Sequence, residues 1–411
     1  MAAASVARCG DWLMISAGKT LLSLDTGSSR NAFVFDCSAA ERRPRDEAAD
    51  GDDHRDAEVS RDEGTDCILA LAVSPTGKLV ALTDDNKRLV LFRTEPKWQC
   101  VSTRWVVRRC TSLAFSMDEE CVLVADKSGD VYSFSTKQPH AAGQVKLGHL
   151  SMLLALTVTP DNKFSITADR DEKIRVSCLR GPHNIQSFCL GHTEFVSALL
   201  VPSKSPDCLL SGSGDGTVKL WHYETGRRLQ SWDLQELSET PTEERLAVRR
   251  ISCSPDGHVA VQCDRCPWLQ LFEIKEGSEV KPSTCLRLPH VVWDMVFDQK
   301  CQLWILLENQ QTPVLLYKHA QQGWEQCDLQ QSDLKRVSAA LHTHWDCFKE
   351  CVGSPSRLHQ LYKVNFDNMA AYRQKKEERM QQKRAAGNGA PSNKTRKRVK
   401  LGSEHTHESV L

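Results

Sequence analysis

The sequence predicts an all-β fold: a ring of seven antiparallel sheets arranged as a propeller, followed by a basic helix and a disordered basic tail. Two observations carry that reading. First, residues 209–221 read LLSGSGDGTVKLW, in which Ser-Gly pairs lead into Asp215-Gly216 and an alternating run ends on Trp221. Gly accepts the positive φ that a tight hairpin turn needs, and Asp hydrogen-bonds to the turn's own backbone. The alternation puts Val218 and Leu220 on one face and Lys219 on the other, as a half-buried strand requires. Second, the pattern recurs. With Val218 as the first residue of its strand, matching positions fall at Ala32, Leu89, Val131, Ile174, Leu269 and Val314, spaced 42–51 residues apart from Leu89 onward. Four-stranded propeller repeats run about 40–45 residues. One such unit cannot bury its own apolar face, whereas a closed ring of them leaves only short, protected edges.

The Gly191-His192 pair that precedes this run, its turn Asp215 and its closing Trp221 resemble a WD repeat, so the fold class is a seven-bladed WD-repeat β-propeller. Blade one is residues 5–36, with apolar runs DWLMISAG and NAFVFDC. Residues 38–66 break the pattern and form the predicted acidic disordered insertion, since positions 41–66 carry eleven acidic and five basic side chains and almost no large apolar ones. Blades two to five are 67–93, 110–135, 149–178 and 192–223, each with a polar turn before its alternating strand. The polar stretch 234–248, which contains Pro241, explains the longer step to blade six at 249–274; blade seven is about 291–318. Residues 334–366 hold a weak strand pattern ending in LYKVNF, and part of this segment is expected to close the ring by completing a blade with N-terminal residues. The propeller domain is thus 1–366. Residues 367–386 lack Gly and Pro, are rich in helix formers and begin at Asp367 or Asn368 as cap, which predicts a basic helix that is marginal alone in water. Residues 387–411 are the predicted disordered basic tail.

Composition sets bounds. Lys+Arg and Asp+Glu are both 53, so the net charge is zero, but residues 373–400 hold eleven basic and two acidic side chains. No secretory signal is visible, and the longest apolar runs, such as ILALAV, are too short to span a bilayer. The expectation is an intracellular protein without a membrane partner. Seventeen cysteines scattered along the strands suit free thiols acting as small hydrophobes in a reducing compartment.

Several signals imitate chemistry. His192, Ser211 or Ser213, and Asp215 suggest a catalytic triad, but in a WD repeat such a His, a strand Ser, the turn Asp and the Trp, here His192, Ser211, Asp215 and Trp221, form a buried network that satisfies polar groups inside the blade. Gly212, Gly214 and Gly216 imitate a nucleotide or S-adenosylmethionine loop, which needs a helix directly after the glycines; here a strand follows. Cys263 and Cys266 have zinc-like spacing without a second pair to complete four ligands. The reading is therefore a non-catalytic protein with no metal, no cofactor of its own and no small-molecule substrate.

Two charged features stand apart. Residues 169–173 are five consecutive charged residues in the blade-four turn; Ile174 and Val176 face the packing, leaving Lys173 and Arg175 on the other face, either as ordinary surface charge or as a docking surface. In the tail, Lys383-Arg384, an eleven-residue spacer and Arg396-Lys397-Arg398 have the form of a two-part nuclear localisation signal. Lys375, Lys376, Arg379 and Lys383 would also make a cationic helix able to neutralise phosphates.

KSGDVYSFS, LGHLSMLL, TADRDEKIRVS, SFCLGHTEFVS and LYKVNFDN together resemble the vertebrate WD-repeat non-catalytic subunits of tRNA (guanine-N7-)-methyltransferase. The resemblance implies that the propeller binds a separate Rossmann-like catalytic subunit as a heterodimer, with S-adenosylmethionine carried on that partner. The pair would methylate a guanine in the tRNA variable loop. The docking surface implied here is Glu172 and Arg175, with Asp171 and Lys173 beside them. The tRNA-facing residues implied are Lys375, Lys376, Arg379 and Lys383. The two-part basic signal leads to the expectation of a nuclear protein, with a cytoplasmic pool compatible.

The alternative is a nuclear adaptor, such as a substrate receptor of a cullin-type ubiquitin ligase or a genome-maintenance scaffold. Receptors of that kind often end this strand in Trp-Asp-x-Arg; here Trp221 is followed by His222-Tyr223-Glu224, and Trp293-Asp294 by Met295-Val296.

Overall fold

The second and third strands of most blades carry apolar side chains on both faces, which only a sheet sandwiched between two others can bury. The strands Trp12–Ala17, Thr20–Asp25, Phe164–Asp169, Cys208–Ser213, His258–Cys263 and Leu303–Leu307 are buried along their whole length. The computed structural model meets that requirement with a propeller. It describes residues 4–27, 30–42, 64–238, 245–275, 277, 279–328, 330–363 and 368–387. Among them, 28 strands form seven four-stranded antiparallel sheets, each built from four consecutive strands.

The first strand of each blade lines the central channel and touches the first strands on either side; the ring closes where Ser5–Cys9 meets Val292–Phe297. Seven apolar clusters sit in the gaps between blades. Between blades four and five, Ile166, Ile174 and Val176 pack against Val196, Leu209 and Trp221. Full burial of one such aliphatic side chain is worth about 1.5–3 kcal/mol, so each gap is held by several independent contributions.

Three expectations need correction. The fourth strands of blades two to seven escaped the sequence pattern. Ile185–Cys189 and Arg227–Asp233 are mostly exposed and Gln99–Trp105 is exposed or half-buried at most positions, so little enforces apolar alternation on them. Ala32 is not the blade-one counterpart of Val218. It precedes the outer strand Phe33–Asp36, whereas the third strand is Thr20–Asp25.

Ring closure is the third. Blade one is complete within residues 5–36 and blade seven ends with its own outer strand Gly323–Gln326, so no strand is exchanged between the chain ends. Residues 334–366 supply no strand among the described residues. A short helix α1 (Leu234–Leu237) precedes blade six, and a longer helix α2 (Ser332–Thr343) follows blade seven. Leu334, Val337 and Leu341 of α2 join Ala4, Val6, Leu13 and Trp293 in the cluster at the seam between blades seven and one. Trp345 and Phe348 stack on Trp293 with ring centroids 5.8 and 5.6 Å away. Asp294 Oδ2 accepts from the Val6 backbone N–H at 2.8 Å, and Arg336 donates to the Thr26 carbonyl at 2.8 Å. The seam is closed by side-chain packing under a helix.

The expected insertion 38–66 is ordered at its margins. Cys37–Ala39 form a 3-10 turn capped by Asp36, and Asp66 pairs with Arg88; residues 43–63 lie outside the described residues. The chain divides into two compact units, Met1–Tyr362 and Lys363–Leu411. The described part of the second is Lys363 and helix α3 (Asn368–Gly387). Residues 388–411 of the predicted tail, with the Arg396–Arg398 half of the two-part signal, lie outside the described residues.

Candidate partner-docking site

In blades two to five the turn before the third strand is a hairpin whose Asp (Asp84, Asp126, Asp169 or Asp215) ties down the backbone. In blade five the four residues singled out in the sequence join one relay. Trp221 donates Nε1–H to Ser211 Oγ at 2.8 Å, Ser211 Oγ lies 2.7 Å from His192 Nε2, and His192 Nδ1 lies 2.9 Å from Asp215 Oδ2. The carboxylate can only accept, so His192 donates from Nδ1. With the imidazole neutral, Nε2 accepts from the Ser211 hydroxyl, whose oxygen accepts from the indole. Burial lowers the His192 pKa, and the attraction of Asp215 does not compensate. Burial alone would raise the Asp215 carboxyl, but hydrogen bonds from His192, Thr217 and the Thr193 backbone hold it well below the usual range. Every polar atom of the relay is engaged within the blade, and its side chains are sealed from solvent, which is what a structural strut requires and a nucleophile cannot use. Gly214 serves packing, since a Cβ there would collide with the ring of Phe195.

Blade four shifts this relay by two residues. Strand register aligns Ile174 with Val218, which matches Asp171 to Asp215 and Asp169 to Ser213. Yet His149 Nδ1 bonds Asp169 Oδ2 at 2.9 Å, while its Nε2 meets Thr167 Oγ1 at 2.8 Å. Asp169 also accepts the backbone N–H groups of Asp171 and Lys173 at 2.9 and 3.0 Å. With the buried role taken by Asp169, the carboxylate of Asp171 is not needed inside the blade. Glu172 occupies the left-handed position, φ +67°, that Gly216 fills in blade five with φ +77° and Lys87 in blade two with φ +64°. Lys173 is exposed and reaches the Asp171 carbonyl at 3.2 Å. The charged turn is therefore a braced platform. His149 was not singled out as its anchor from sequence, although Gly148-His149 repeats the Gly191-His192 signal.

Arg175 follows in the strand Ile174–Cys178. It is half-buried, and its Nη1 donates to the Gly148 carbonyl, at the end of the outer strand of blade three, at 3.0 Å. Its Nε is buried with no hydrogen-bond partner. Burial lowers its pKa, and Asp169 opposes that shift. The side chain is thus less exposed than the alternation suggested. It bridges blades three and four with part of its guanidinium. Opposite it in the outer strand stands Phe188, 42% exposed; Leu150 and Leu190 in the flanking loops are 108% and 61% exposed.

In the second unit, Lys375, Lys376 and Arg379 are exposed on α3, and Lys383 follows one turn later in the helix. Spacings of three and four residues put these positions on one face. Met369 and Tyr372 are 60% and 62% exposed in the same helix.

Among the described residues no group of three or more His, Cys, Asp or Glu could hold a metal ion. Cys263 and Cys266 are free thiols, the first buried.

Comparison with known proteins supplies the lineage. The family profile described as "tRNA methyltransferase TRM82 WD40 domain" matches residues 27–146 and 135–330. A Danio rerio protein named tRNA (guanine-N(7)-)-methyltransferase non-catalytic subunit wdr4 is 57% identical over 94% of this chain and 95% of its own length. The Homo sapiens protein of the corresponding name is 44% identical, with 90% and 89% covered. Among solved structures, the RRP9 WD40 repeats superpose with a TM-score of 0.59 at 17% identity, covering 76% of this chain and 89% of that one, a likeness of fold alone. With a family profile spanning most of the propeller and relatives this similar over nearly their whole length, the chain belongs to the TRM82 WD40 family, that of the tRNA (guanine-N(7)-)-methyltransferase non-catalytic subunits.

Proposed function

We propose that this chain is the non-catalytic subunit of a tRNA N7-methylguanosine methyltransferase. It is not itself an enzyme. It holds a Rossmann-like catalytic subunit, which carries the S-adenosylmethionine, through the blade-four platform of Asp171, Glu172, Lys173 and Arg175. The basic helix, through Lys375, Lys376, Arg379 and Lys383, adds phosphate attraction that helps position tRNA. The two-part basic signal directs the complex to the nucleus.

The observation that carries this reading is 57% identity, over 94% of the chain, to a protein named as that subunit. The geometry supports the division of labour. Rigid charges on a hairpin braced from beneath fix register and partner choice, while exposed Phe188, Leu150 and Leu190 offer the apolar area on which binding energy depends. The engaged relay of blade five offers no free nucleophile to carry chemistry in this chain.

The test is methyl transfer from labelled S-adenosylmethionine to tRNA with this protein, with the catalytic subunit, and with both. Activity only or mainly with both is expected. Activity of the catalytic subunit unchanged by this chain would remove the reading and favour the ligase-receptor alternative.

A further inference from the structure

After α2 the chain does not simply leave the propeller. Residues 353–362 cross one mouth of the central channel as a strap, fastened to blade after blade. Glu308 of blade seven accepts the Gly353 backbone N–H, and Arg265 of blade six donates to the Ser354 carbonyl at 2.6 Å. Arg357 reaches across to Cys67, just before blade two, at 3.7 Å. At the far end Arg170 of blade four donates through Nε to the Leu361 carbonyl at 2.8 Å and through Nη2 to the Tyr362 carbonyl at 3.5 Å. Tyr362 then inserts beside blade five: its hydroxyl donates to the Gly214 carbonyl at 2.8 Å, its ring meets Phe195 edge-on at 5.0 Å, and Arg245 lies over it at 5.2 Å.

The end of the strap matters because of what flanks it on both sides. Tyr362 is the last residue of the propeller unit, so everything basic that follows is tethered there. Arg170 is the second residue of the same charged turn whose next three residues are Asp171, Glu172 and Lys173. One turn therefore contains the proposed partner-binding charges and also the residue that fastens the root of the tail.

We infer that Arg170 is a positioning residue for tRNA methylation: by clamping the carbonyls of Leu361 and Tyr362 it fixes the root of the basic segment to the docking turn. This rests on the proposed function above and assigns Arg170 a role in tRNA capture that is separate from subunit binding. A tethered binding element works at an effective concentration set by where its root is held. Losing the Arg170 bonds leaves every cationic side chain in place and Tyr362 still seated on Gly214 and Phe195, but loosens the backbone at the root, so the tail samples a larger volume.

The experiment uses the full two-subunit complex and measures kcat and KM for tRNA across a salt series. Arg170→Ala should raise KM for tRNA severalfold, through the larger volume that a loosened root leaves the tail, with kcat at saturating tRNA and recovery of the catalytic subunit unchanged. The slope of log KM against log salt should stay that of wild type, because the phosphate contacts are the same in number. Arg170→Lys, able to keep the Leu361 bond, should recover part of the loss. In a background of Lys375→Glu, Lys376→Glu and Arg379→Glu, Arg170→Ala should have no further effect on KM. An equal effect in both backgrounds, or loss of the catalytic subunit on Arg170→Ala, would overturn the inference while leaving the subunit role standing. A background triple variant with wild-type KM would overturn the tail's role and this inference together, again leaving the methyl-transfer test to decide the subunit role.

Discussion

Arg175 donates from Nη1 to the carbonyl oxygen of Gly148 at 3.0 Å, joining the third strand of blade four to the outer strand of blade three. Gly148 in turn precedes His149, which braces Asp169 under the charged turn. Arg175 therefore has a structural duty within the chain as well as a charge to present.

The first prediction concerns that double duty. Arg175→Glu removes the Gly148 bond and places a carboxylate near buried Asp169. It should lower folding stability by about 0.5–1.5 kcal/mol, the net worth of one hydrogen bond to an exposed carbonyl, and should also weaken capture of the catalytic subunit. Arg175→Met keeps most of the apolar stem, so it should recover much of the stability but not the capture. Thermal unfolding and copurification at physiological salt separate the two effects, and normal capture by both variants would remove Arg175 from the docking surface.

Glu172 permits a cleaner separation. Its φ of +67° is a conformation that glycine adopts without strain. In Glu172→Gly, relief of that strain offsets the greater freedom of glycine in the unfolded chain, so stability should move by less than about 1 kcal/mol. Capture of the catalytic subunit should nevertheless fall, because a docking charge has gone. A thermal midpoint near wild type with undiminished capture would show that Glu172 does not meet the partner.

The blade-five relay predicts both a mutational cost and a pH dependence. Ser211→Ala would strand the Trp221 indole N–H, on a side chain that is 0% exposed, and His192 Nε2, costing about 1–3 kcal/mol for each unsatisfied group. His192 has a folded pKa below its unfolded value. The unfolded chain therefore binds more protons below about pH 6.5, and stability falls as pH drops through that value. Asp215 is depressed as well, so its contribution is present above the ordinary carboxylate range and is lost only as pH falls below about 4. Denaturant unfolding at pH 7.5 and 5.5 should show wild type losing more stability than His192→Asn. Equal losses would mean that His192 is charged in the folded protein.

What could be read from the sequence, and what could not, follows from burial. Leu89, Val131, Ile174, Val218, Leu269 and Val314 all lie in third strands packed on two faces, so their apolar rhythm repeats blade after blade. Arg227–Asp233 and Ile185–Cys189 lie at the rim, where water accepts any side chain, and they left no rhythm to follow. The ring seam was misread because LYKVNF looks like a strand in isolation. Its described part, residues 361–363, forms no strand: Leu361 and Tyr362 are held by Arg170, while Leu334, Trp345 and Phe348 close the seam on Trp293. The site divides the same way. The charges at 169–173 are visible as residues, but that Asp169 takes the buried role, and that Arg170 turns to Leu361, depends on contacts with His149 and with a segment 191 positions away.

The seam itself can be tested. Leu334 is 0% exposed and sits between the first and last blades. Leu334→Ala should cost about 2–5 kcal/mol, a loss that falls where the ring has no shared strand to hold it. Hydrogen exchange should quicken first in Ser5–Cys9 and Val292–Phe297, ahead of blades three to five. Uniform quickening around the ring would show that the seam is not the weak joint.

The last prediction concerns the tail. Lys375, Lys376 and Arg379 are exposed and spaced along one face of α3, so each is free to meet a phosphate. Every phosphate neutralised releases condensed counterions, and each lost contact lowers the slope of log affinity against log salt by about 1. Replacing all three by Gln should therefore flatten the salt dependence of tRNA binding by the complex by up to about 3. Because Gln keeps helix propensity, the helical content should not change. The loss should be the same for different tRNAs, since phosphates carry no sequence information. A slope that does not move would mean that α3 reaches no phosphate, and the attraction for tRNA would then have to come from the propeller or the catalytic subunit.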